Sequence, residues 1–190
     1  MAIVHTLFTT TKEMSVEYAH RLLDYKDPIS GEKGLCANIH GHSGIIKCTF
    51  GSDKLHGGMV LDFKIMKHVL NELVIETFDH ALILQDSDPL VDILKDQKLK
   101  MVVIDDIPTA EYLAIVTLTI INDYLIQQWY NSSAATKPDI TKDDLLENMD
   151  VICTEIEWYE TSTSKATVHL CDEMLEATID KVMQPKEKMN

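Results

Sequence analysis

The chain has 190 residues, of which 45% are hydrophobic and 25% charged, a composition that suits one globular domain with a substantial core. Its formal net charge is −14 and Arg21 is its single arginine, so no basic stripe is available for phosphates and the sequence argues against nucleic-acid binding. Four scattered cysteines, no apolar run of bilayer length and no basic, apolar leader predict a reduced, cytoplasmic protein that does not enter a membrane.

The first half of the chain predicts strands, one loop and one helix. The β-prone stretches are residues 2–8, 14–19 and 45–50, the last continuing from His40. Residues 24–34 carry Pro and Gly signals and form a predicted loop. Asp62 is placed to cap a helix that ends near residue 76. The apolar face of that helix is predicted from helical spacing at Met66, Val69, Leu70 and Leu73.

The second half predicts two helices, three strands and a C-terminal helix. In order, they are a short helix at 89–94, a short strand at 101–104, a helix opened by Pro108 and Thr109, an inserted loop region at 131–150, a hairpin of strands at 150–160 and 165–170, and a helix and tail at 172–190. We therefore expect one α+β domain over 1–190, in ββααββ order. Two helices would cover one face of a four-stranded antiparallel sheet.

One string in this pattern carries chemistry, from Cys36 to His42. On a strand, alternation places His40 and His42 on one face, close enough to share a metal ion. A catalytic zinc site needs a third protein ligand and keeps its fourth position open, and His20 is the best candidate for that ligand. A His-x-His pair alone also occurs by chance, and a lone cysteine such as Cys36 is more often a small buried hydrophobe than a base.

The combination resembles the 6-pyruvoyltetrahydropterin synthase / 6-carboxytetrahydropterin synthase family. The resemblance extends over six short motifs in the family's order, namely Ala19-His20-Arg21-Leu22, Cys36-x3-His40-Gly41-His42, Leu61-Asp62-Phe63, Phe78-Asp79-His80, Pro108-Thr109-Ala110-Glu111 and Glu160-Thr161. The three-residue gap between Cys36 and His40 is most similar to the carboxy-type enzymes of queuosine biosynthesis. Pyruvoyl-type animal enzymes have a longer gap at that point.

The resemblance implies a role for eight residues. The implied zinc ligands are His20, His40 and His42. The implied proton-transfer groups are Cys36, Asp79 and His80. The implied pterin anchor is Glu160, with Thr109 nearby. From the residues alone, Asp79 and His80 are neighbours that a regular strand would point in opposite directions, so a working dyad requires irregular backbone. Glu160 and Thr109 alone are most simply a solvated carboxylate and a helix N-terminal residue.

The resemblance also implies the fold, the assembly and the reaction. The fold is the tunnelling fold, whose subunits join edge to edge into a barrel, and two trimers stack as a homo-hexamer. The substrate is 7,8-dihydroneopterin triphosphate. The carboxy-type reaction yields 6-carboxy-5,6,7,8-tetrahydropterin, acetaldehyde and triphosphate, with Zn²⁺ as cofactor. Three alternatives stay open: a pyruvoyl-type synthase, a folate-pathway relative that cleaves dihydroneopterin, and a non-catalytic oligomer that binds zinc or pterin.

Several positions depart from the family pattern. Ser43 and Gly44 follow the His-Gly-His string where an aromatic residue is usual, Val16 stands where Phe is common, and Tyr112 replaces an Asn. None of these removes an implied ligand or proton-transfer group. They leave the shape of the substrate pocket open, and with it the choice between the two products.

Overall fold

The structure is a computed structural model that describes residues 7–135, 137 and 139–184. Its strands are β1 Phe8–His20, β2 His40–Ser52, β3 Ala81–Gln85, β4 Met101–Ile104, β5 Ile152–Thr161 and β6 Ser164–His169. Its α-helices are α1 Phe63–Leu70, α2 Glu76–Phe78, α3 Pro89–Leu94, α4 Ala110–Ala134, α5 Lys142–Asn148 and α6 Asp172–Met183. A π-helical segment, Asn71–Ile75, joins α1 to α2. Within these ranges no helix has the length and apolarity needed to cross a bilayer.

The sheet has six described strands in the order β4-β3-β1-β2-β5-β6. The β1–β2, β2–β5 and β5–β6 pairs are antiparallel, whereas β3 runs parallel to both β1 and β4. The predicted four-stranded antiparallel sheet in ββααββ order is therefore wrong, and the fold is α+β with a mixed sheet. The prediction missed β3. This strand is an apolar run soon after a helix, and its residues do not alternate between apolar and polar. The predicted strands at 101–104, 150–160 and 165–170 are confirmed within two residues.

Strand β1 also differs from its prediction. From residue 8 onward, the predicted strands at 2–8 and 14–19 are one continuous strand, Phe8–His20, while Leu7 is not in a strand and residues 2–6 lie outside the described chain. Every residue of β1 pairs with β2 in unbroken register, from Phe8 opposite Ser52 to His20 opposite His40. The first half of β1 is polar and rich in Thr. It is nevertheless strand, because β2 supplies a hydrogen-bonding partner along its whole length.

The helices pack on one face of the sheet and build the main core. That core includes Val16, Tyr18, Ile46, Phe50, Phe78, Leu113, Leu118 and Trp158, all buried. The other face carries cross-strand polar pairs: Thr11 with Thr49, Glu13 with Lys47, Glu155 with His169 and Glu157 with Lys165. The uncovered face is thus polar.

The predicted helix after Asp62 is confirmed, but one residue of its predicted buried face differs. The Asp62 side chain accepts a hydrogen bond from Lys64 and caps α1. Val74 is buried, whereas Leu73, which plain helical spacing assigned to the core, is half-buried. The π-helical segment between α1 and α2 makes the difference, because it changes the angle between successive turns.

The inserted region and the C-terminal helix form a second, smaller core. The predicted loop region at 131–150 begins as helix, because α4 continues to Ala134, and α5 lies within the insertion. A capping box between Thr141 and Asp144 fixes the start of α5. The buried members of the core are Ile126, Leu145, Ile152, Leu175, Ile179 and Val182. The insertion and the tail helix therefore stabilise each other against the far end of α4.

Removal of apolar volume from this second core is expected to be costly. Ile179 is fully buried, so Ile179→Ala should lower the free energy of unfolding by about 2–5 kcal/mol. Urea unfolding monitored by circular dichroism measures the change. The matched control is Ile93→Ala, since Ile93 is 63% exposed and should lose far less. Equal losses for the two variants would contradict the assignment of Ile179 to a core.

Candidate metal centre

Three imidazoles meet where β1 ends and β2 begins. The β1–β2 register places His20 opposite His40 and Tyr18 opposite His42, so alternation brings all three histidines to the same face. The His20 Nε2 atom lies 3.2 Å from Nε2 of His40 and 3.1 Å from Nε2 of His42. The sequence prediction that these residues come together is thus met in the geometry, which forms a three-histidine cluster able to hold a metal ion.

The donor atoms of the cluster fit a metal of the zinc type. Ligands about 2.0–2.1 Å from a tetrahedral zinc lie about 3.3 Å from one another, close to the separations found here. His20 Nδ1 donates to the Pro108 carbonyl at 2.6 Å, and His40 Nδ1 donates to the Asn38 carbonyl at 2.9 Å. A carbonyl can only accept, so both protons sit on Nδ1 and both Nε2 lone pairs point to the centre.

The electrostatics keep the His20 imidazole neutral. Burial lowers the pKa of His20 to about 4, and the neighbouring His40 and His42 act in the same direction. The hydrogen bond to the Pro108 carbonyl raises the pKa but does not offset these effects. At neutral pH the His20 imidazole is uncharged, the form that ligates metals.

Tyr18 forms the floor of the cluster. Its ring centroid lies 5.5 Å from those of His20 and His42, and Trp158 Nε1 donates to its hydroxyl at 2.9 Å. Gly44 leaves the space for this ring, because a Cβ on Gly44 would lie 3.1 Å from Tyr18 Cε1. Tyr18 thus supplies an aromatic ring beside the cluster, although Ser43 and Gly44 follow the His-Gly-His string.

Gly44→Ala is expected to destabilise the protein by about 1–3 kcal/mol through overpacking. The added Cβ would also lie 2.9 Å from the Tyr159 carbonyl oxygen, which belongs to the backbone and cannot turn away. Thermal unfolding of the metal-free protein measures the loss. Gly41→Ala is the milder comparison, since its Cβ would meet one backbone oxygen at 3.3 Å. A Gly44→Ala protein as stable as the parent would contradict this packing.

Cys36 lies in a short 3-10 turn, Leu35–Ala37, just before the β2 ligands. Its backbone carbonyl accepts a hydrogen bond from Leu22 N at 2.8 Å, so the loop that begins after His20 closes again beside the cluster. The thiol is free and half-buried, and it makes no hydrogen bond among the described residues. Cys36 is thus held near the ligand strands through its backbone.

Asp79 and His80 form a hydrogen-bonded pair in irregular backbone. Asp79 ends the helix in an extended conformation and His80 has a φ of 58°, so the two side chains meet with Nδ1 and Oδ2 2.9 Å apart. Glu17 N donates to Asp79 Oδ1 at 2.8 Å. This bond, and more weakly His80, holds the pKa of the Asp79 carboxyl below its usual value. The change of direction that a dyad needs is therefore present.

The pair makes no hydrogen bond to the imidazoles among the described residues. The His80 side chain is 77% exposed and borders a pocket of about 490 Å³ with Glu17, Ala19 and Ser43, whose positions alternate with the ligand-bearing positions of β1 and β2. His42 of the cluster lines the same pocket. The pair and the cluster therefore border one pocket without a hydrogen bond between them.

Glu160 and Thr109 lie on the other side of His20. The Glu160 Oε1 atom is 3.8 Å from His20 Nε2, and both Glu160 and Thr109 line a pocket of about 230 Å³. The Thr109 hydroxyl accepts from Tyr112 N and caps α4. Glu111 lines the same pocket, although no role was predicted for it. Its place two residues after Thr109, in the first turn of a capped helix, is the signal that could have found it.

Comparison with known proteins places this geometry in a family. The family model for 6-pyruvoyl tetrahydropterin synthase matches residues 9–170. The 6-carboxy-5,6,7,8-tetrahydropterin synthase of Aquifex aeolicus is 40% identical over 85 residues, which are 42% of this chain and 52% of that protein. That of Rickettsia typhi is 30% identical over 108 residues, which are 55% of this chain and 73% of that protein. The chain thus spans about half the length of the Aquifex relative.

Solved structures show the same fold at lower identity. An uncharacterized protein from Wolinella succinogenes superposes with a TM-score of 0.60 at 22% identity, over 85% of this chain and 97% of that one. The 6-pyruvoyl tetrahydropterin synthase of Caenorhabditis elegans superposes with a TM-score of 0.50 at 20% identity, over 86% and 96%. Because the family match covers most of the chain, the protein belongs to the 6-pyruvoyl tetrahydropterin synthase family.

Proposed function

We propose that this protein is a zinc-dependent 6-carboxy-5,6,7,8-tetrahydropterin synthase of the cytoplasm, acting on 7,8-dihydroneopterin triphosphate. The observation that carries the proposal is the convergence of three Nε2 atoms, two of them oriented through Nδ1–H bonds to carbonyls, with the Glu160 carboxylate beside them. Relatives at 30–40% identity bear that enzyme's name, which favours the carboxy-type product.

In this proposal each group of the chain has a role that its chemistry allows. Zinc, when bound by His20, His40 and His42, supplies a Lewis acid beside the substrate side chain. Glu160 offers two acceptor oxygens to the amino group and ring N–H of the pterin, with Thr109 at the same pocket. Cys36 removes a proton from carbon, and His80, oriented by Asp79, accepts or returns a second proton.

Incubation of the zinc-loaded protein with 7,8-dihydroneopterin triphosphate tests the activity. Release of acetaldehyde together with 6-carboxytetrahydropterin is the expected result. A product that keeps the three-carbon side chain would instead indicate a pyruvoyl-type synthase. Cleavage of dihydroneopterin itself would indicate the folate-pathway relative, and unchanged substrate would indicate a binding oligomer without turnover.

The proposal includes a homo-hexamer of two stacked trimers. Two observations support an assembly: β4 and β6 are the edges of the described sheet, and no hydrogen bond within the described chain joins the Asp79–His80 pair to the imidazoles. Since the uncovered sheet face is polar, we expect the edges rather than that face to hold the subunits together. Sedimentation at micromolar concentration is expected to show trimers or hexamers. A stable monomer would contradict this part of the proposal.

A further inference from the structure

A pocket of about 540 Å³ beside the ligand strands has a charge opposite to that of the chain. Its charged lining is Arg21, Lys26 and Lys33 with Asp24, completed by Leu23, Tyr25 and Ala37. Because Arg21 is paired with Asp88, the two lysines supply the excess of positive charge over Asp24. The chain as a whole carries 31 acidic and 17 basic side chains. A concave region with excess positive charge in so acidic a protein focuses a local field that attracts anions.

The other pockets described above, and one beneath α4, lack this excess. The 490 Å³ pocket has Glu17 with Lys100, the 230 Å³ pocket has Glu111 and Glu160 with Lys165, and a pocket of about 430 Å³ has Asp62 and Asp150 with no lysine or arginine. Among these four pockets, the one lined by Lys26 and Lys33 is alone in suiting a polyanion.

The two lysines are placed against each other by the backbone. Lys26 and Lys33 form an isolated antiparallel bridge, and like charges directly opposite each other are destabilising. Neither ammonium group has an ion pair or hydrogen bond among the described residues. The Asp27 carboxylate is occupied by the N–H groups of Ile29 and Ser30. An external anion would relieve this repulsion.

Backbone hydrogen bonds across the loop that carries the lysines fix its conformation. Asp27 N donates to the Glu32 carbonyl at 2.8 Å, and Gly34 N donates to the Tyr25 carbonyl at 3.0 Å. Gly34 must be a glycine, because a Cβ there would lie 2.3 Å from the Tyr25 ring. These contacts hold both lysines on the loop between His20 and Cys36.

Arg21 connects this pocket to the histidine cluster. Arg21 follows His20 directly, and its Nε atom donates to Asp88 at 2.6 Å, an ion pair that also holds the first turn of α3. Leu22 lines the acidic pocket with Glu160, whereas Arg21 and Leu23 line the basic one. The extended segment after His20 thus separates an acidic pocket from a basic pocket, with the imidazoles at its start.

We propose that the Lys26–Lys33 pocket binds the triphosphate group of the substrate. The identity of that substrate rests on the proposed function, but binding of a polyphosphate by this pocket does not. A substrate with a donor-bearing heterocyclic ring at one end and a polyphosphate at the other matches these two pockets. The ring would suit the acidic pocket with Glu160, and the polyphosphate would suit the basic pocket with Lys26 and Lys33.

Binding of inorganic triphosphate to the full-length protein tests the pocket directly. We expect Lys26→Gln/Lys33→Gln to weaken this binding by about tenfold or more, and Lys64→Gln, which removes a charge on α1, to leave it unchanged. His40→Ala should bind inorganic triphosphate as the parent does, because the lysines hold it. The melting temperature of the double variant should not fall, since a like-charge pair is removed.

The results separate the pocket from the activity. If inorganic triphosphate fails to bind, or binds the double variant as tightly as the parent, the pocket is not a polyphosphate site. Binding lost in His40→Ala overturns the proposal equally, because the anion would then sit on the metal. If triphosphate binds through the lysines but the substrate is not turned over, the proposed function fails and the site stands. In an active protein, the double variant should raise KM with little change in kcat.

Discussion

Replacement of His40 by alanine is expected to reduce the zinc content from about one ion per chain to nearly none. The cluster then retains His20 and His42, and changes even in the partners of a ligand typically weaken metal binding by about 10–100-fold. Loss of a ligand should therefore exceed about a hundredfold and should abolish turnover. Metal analysis after dialysis against a weak chelator measures it.

The matched control for this prediction is His68→Ala. His68 lies on α1, its side chain is 69% exposed, and it pairs with Glu72 away from the cluster. We expect that variant to keep its zinc. Full zinc occupancy in the His40→Ala protein would reject the three-histidine assignment. Equal loss in both variants would show that the assay reports general damage.

Replacement of Cys36 by alanine is expected to leave zinc and pterin binding intact while turnover falls by about a hundredfold to ten-thousandfold, the usual cost of removing a general base. In the proposed site three histidines supply the protein ligands of a catalytic zinc, and a fourth protein ligand would close the position that the substrate needs. The backbone of the turn that carries Cys36 is hydrogen-bonded to Leu22, two residues after His20, which holds this turn near the cluster.

Zinc content and product formation on one preparation of Cys36→Ala decide the matter. Cys171→Ala serves as the control, because Cys171 is a free, exposed cysteine at the start of α6. Loss of zinc together with activity would make Cys36 a ligand. Full activity would make it a bystander and would leave His80 as the leading candidate for the base.

The cluster was predictable because its information is local. Alternation along β2 fixes the relative direction of His40 and His42 from three residues of sequence, and one strand pairing brings His20 opposite His40. The contribution of Tyr18 was not predictable, since it depends on Gly44 and Trp158 across two strand pairings. The position of His80 likewise depends on how β3 joins the sheet.

Long-range pairing also explains the errors in the fold. Nothing in residues 81–85 distinguishes a buried parallel strand from a continuation of the preceding apolar helix. Asn122 shows the same limit: in sequence it is a polar interruption in a helical stripe. In the structure it is buried, and its side-chain amide both donates to the carbonyl of Cys153 and accepts from its N–H. A side chain that serves a strand 31 positions away leaves no local trace.

The π-helical segment has a consequence for how this chain can vary in length. Besides Val69, the buried residues of its helix are Met66, Leu70, Val74 and Phe78, each of these four lying four positions after the last. In an ideal α-helix a step of four overshoots a full turn by about 40°, so the last of these would drift far from the first. The wider turn, in which Glu76 N reaches back to the Asn71 carbonyl, offsets that drift.

The segment therefore acts as a phase correction between two fixed points. Phe78 must face Trp158, and two residues later His80 must meet the edge of β1 at Glu17. Loss of one residue between 71 and 75 would let the helix close as a plain α-helix, and eleven steps of about 100° would still bring Phe78 to within about 20° of the direction of Met66. Loss of one residue from α1 would keep the wide turn and would rotate Phe78 by about 100°, away from Trp158. Homologous chains can thus shorten this helix by one residue at the wide turn, whereas a residue lost from α1 turns Phe78 away from the core.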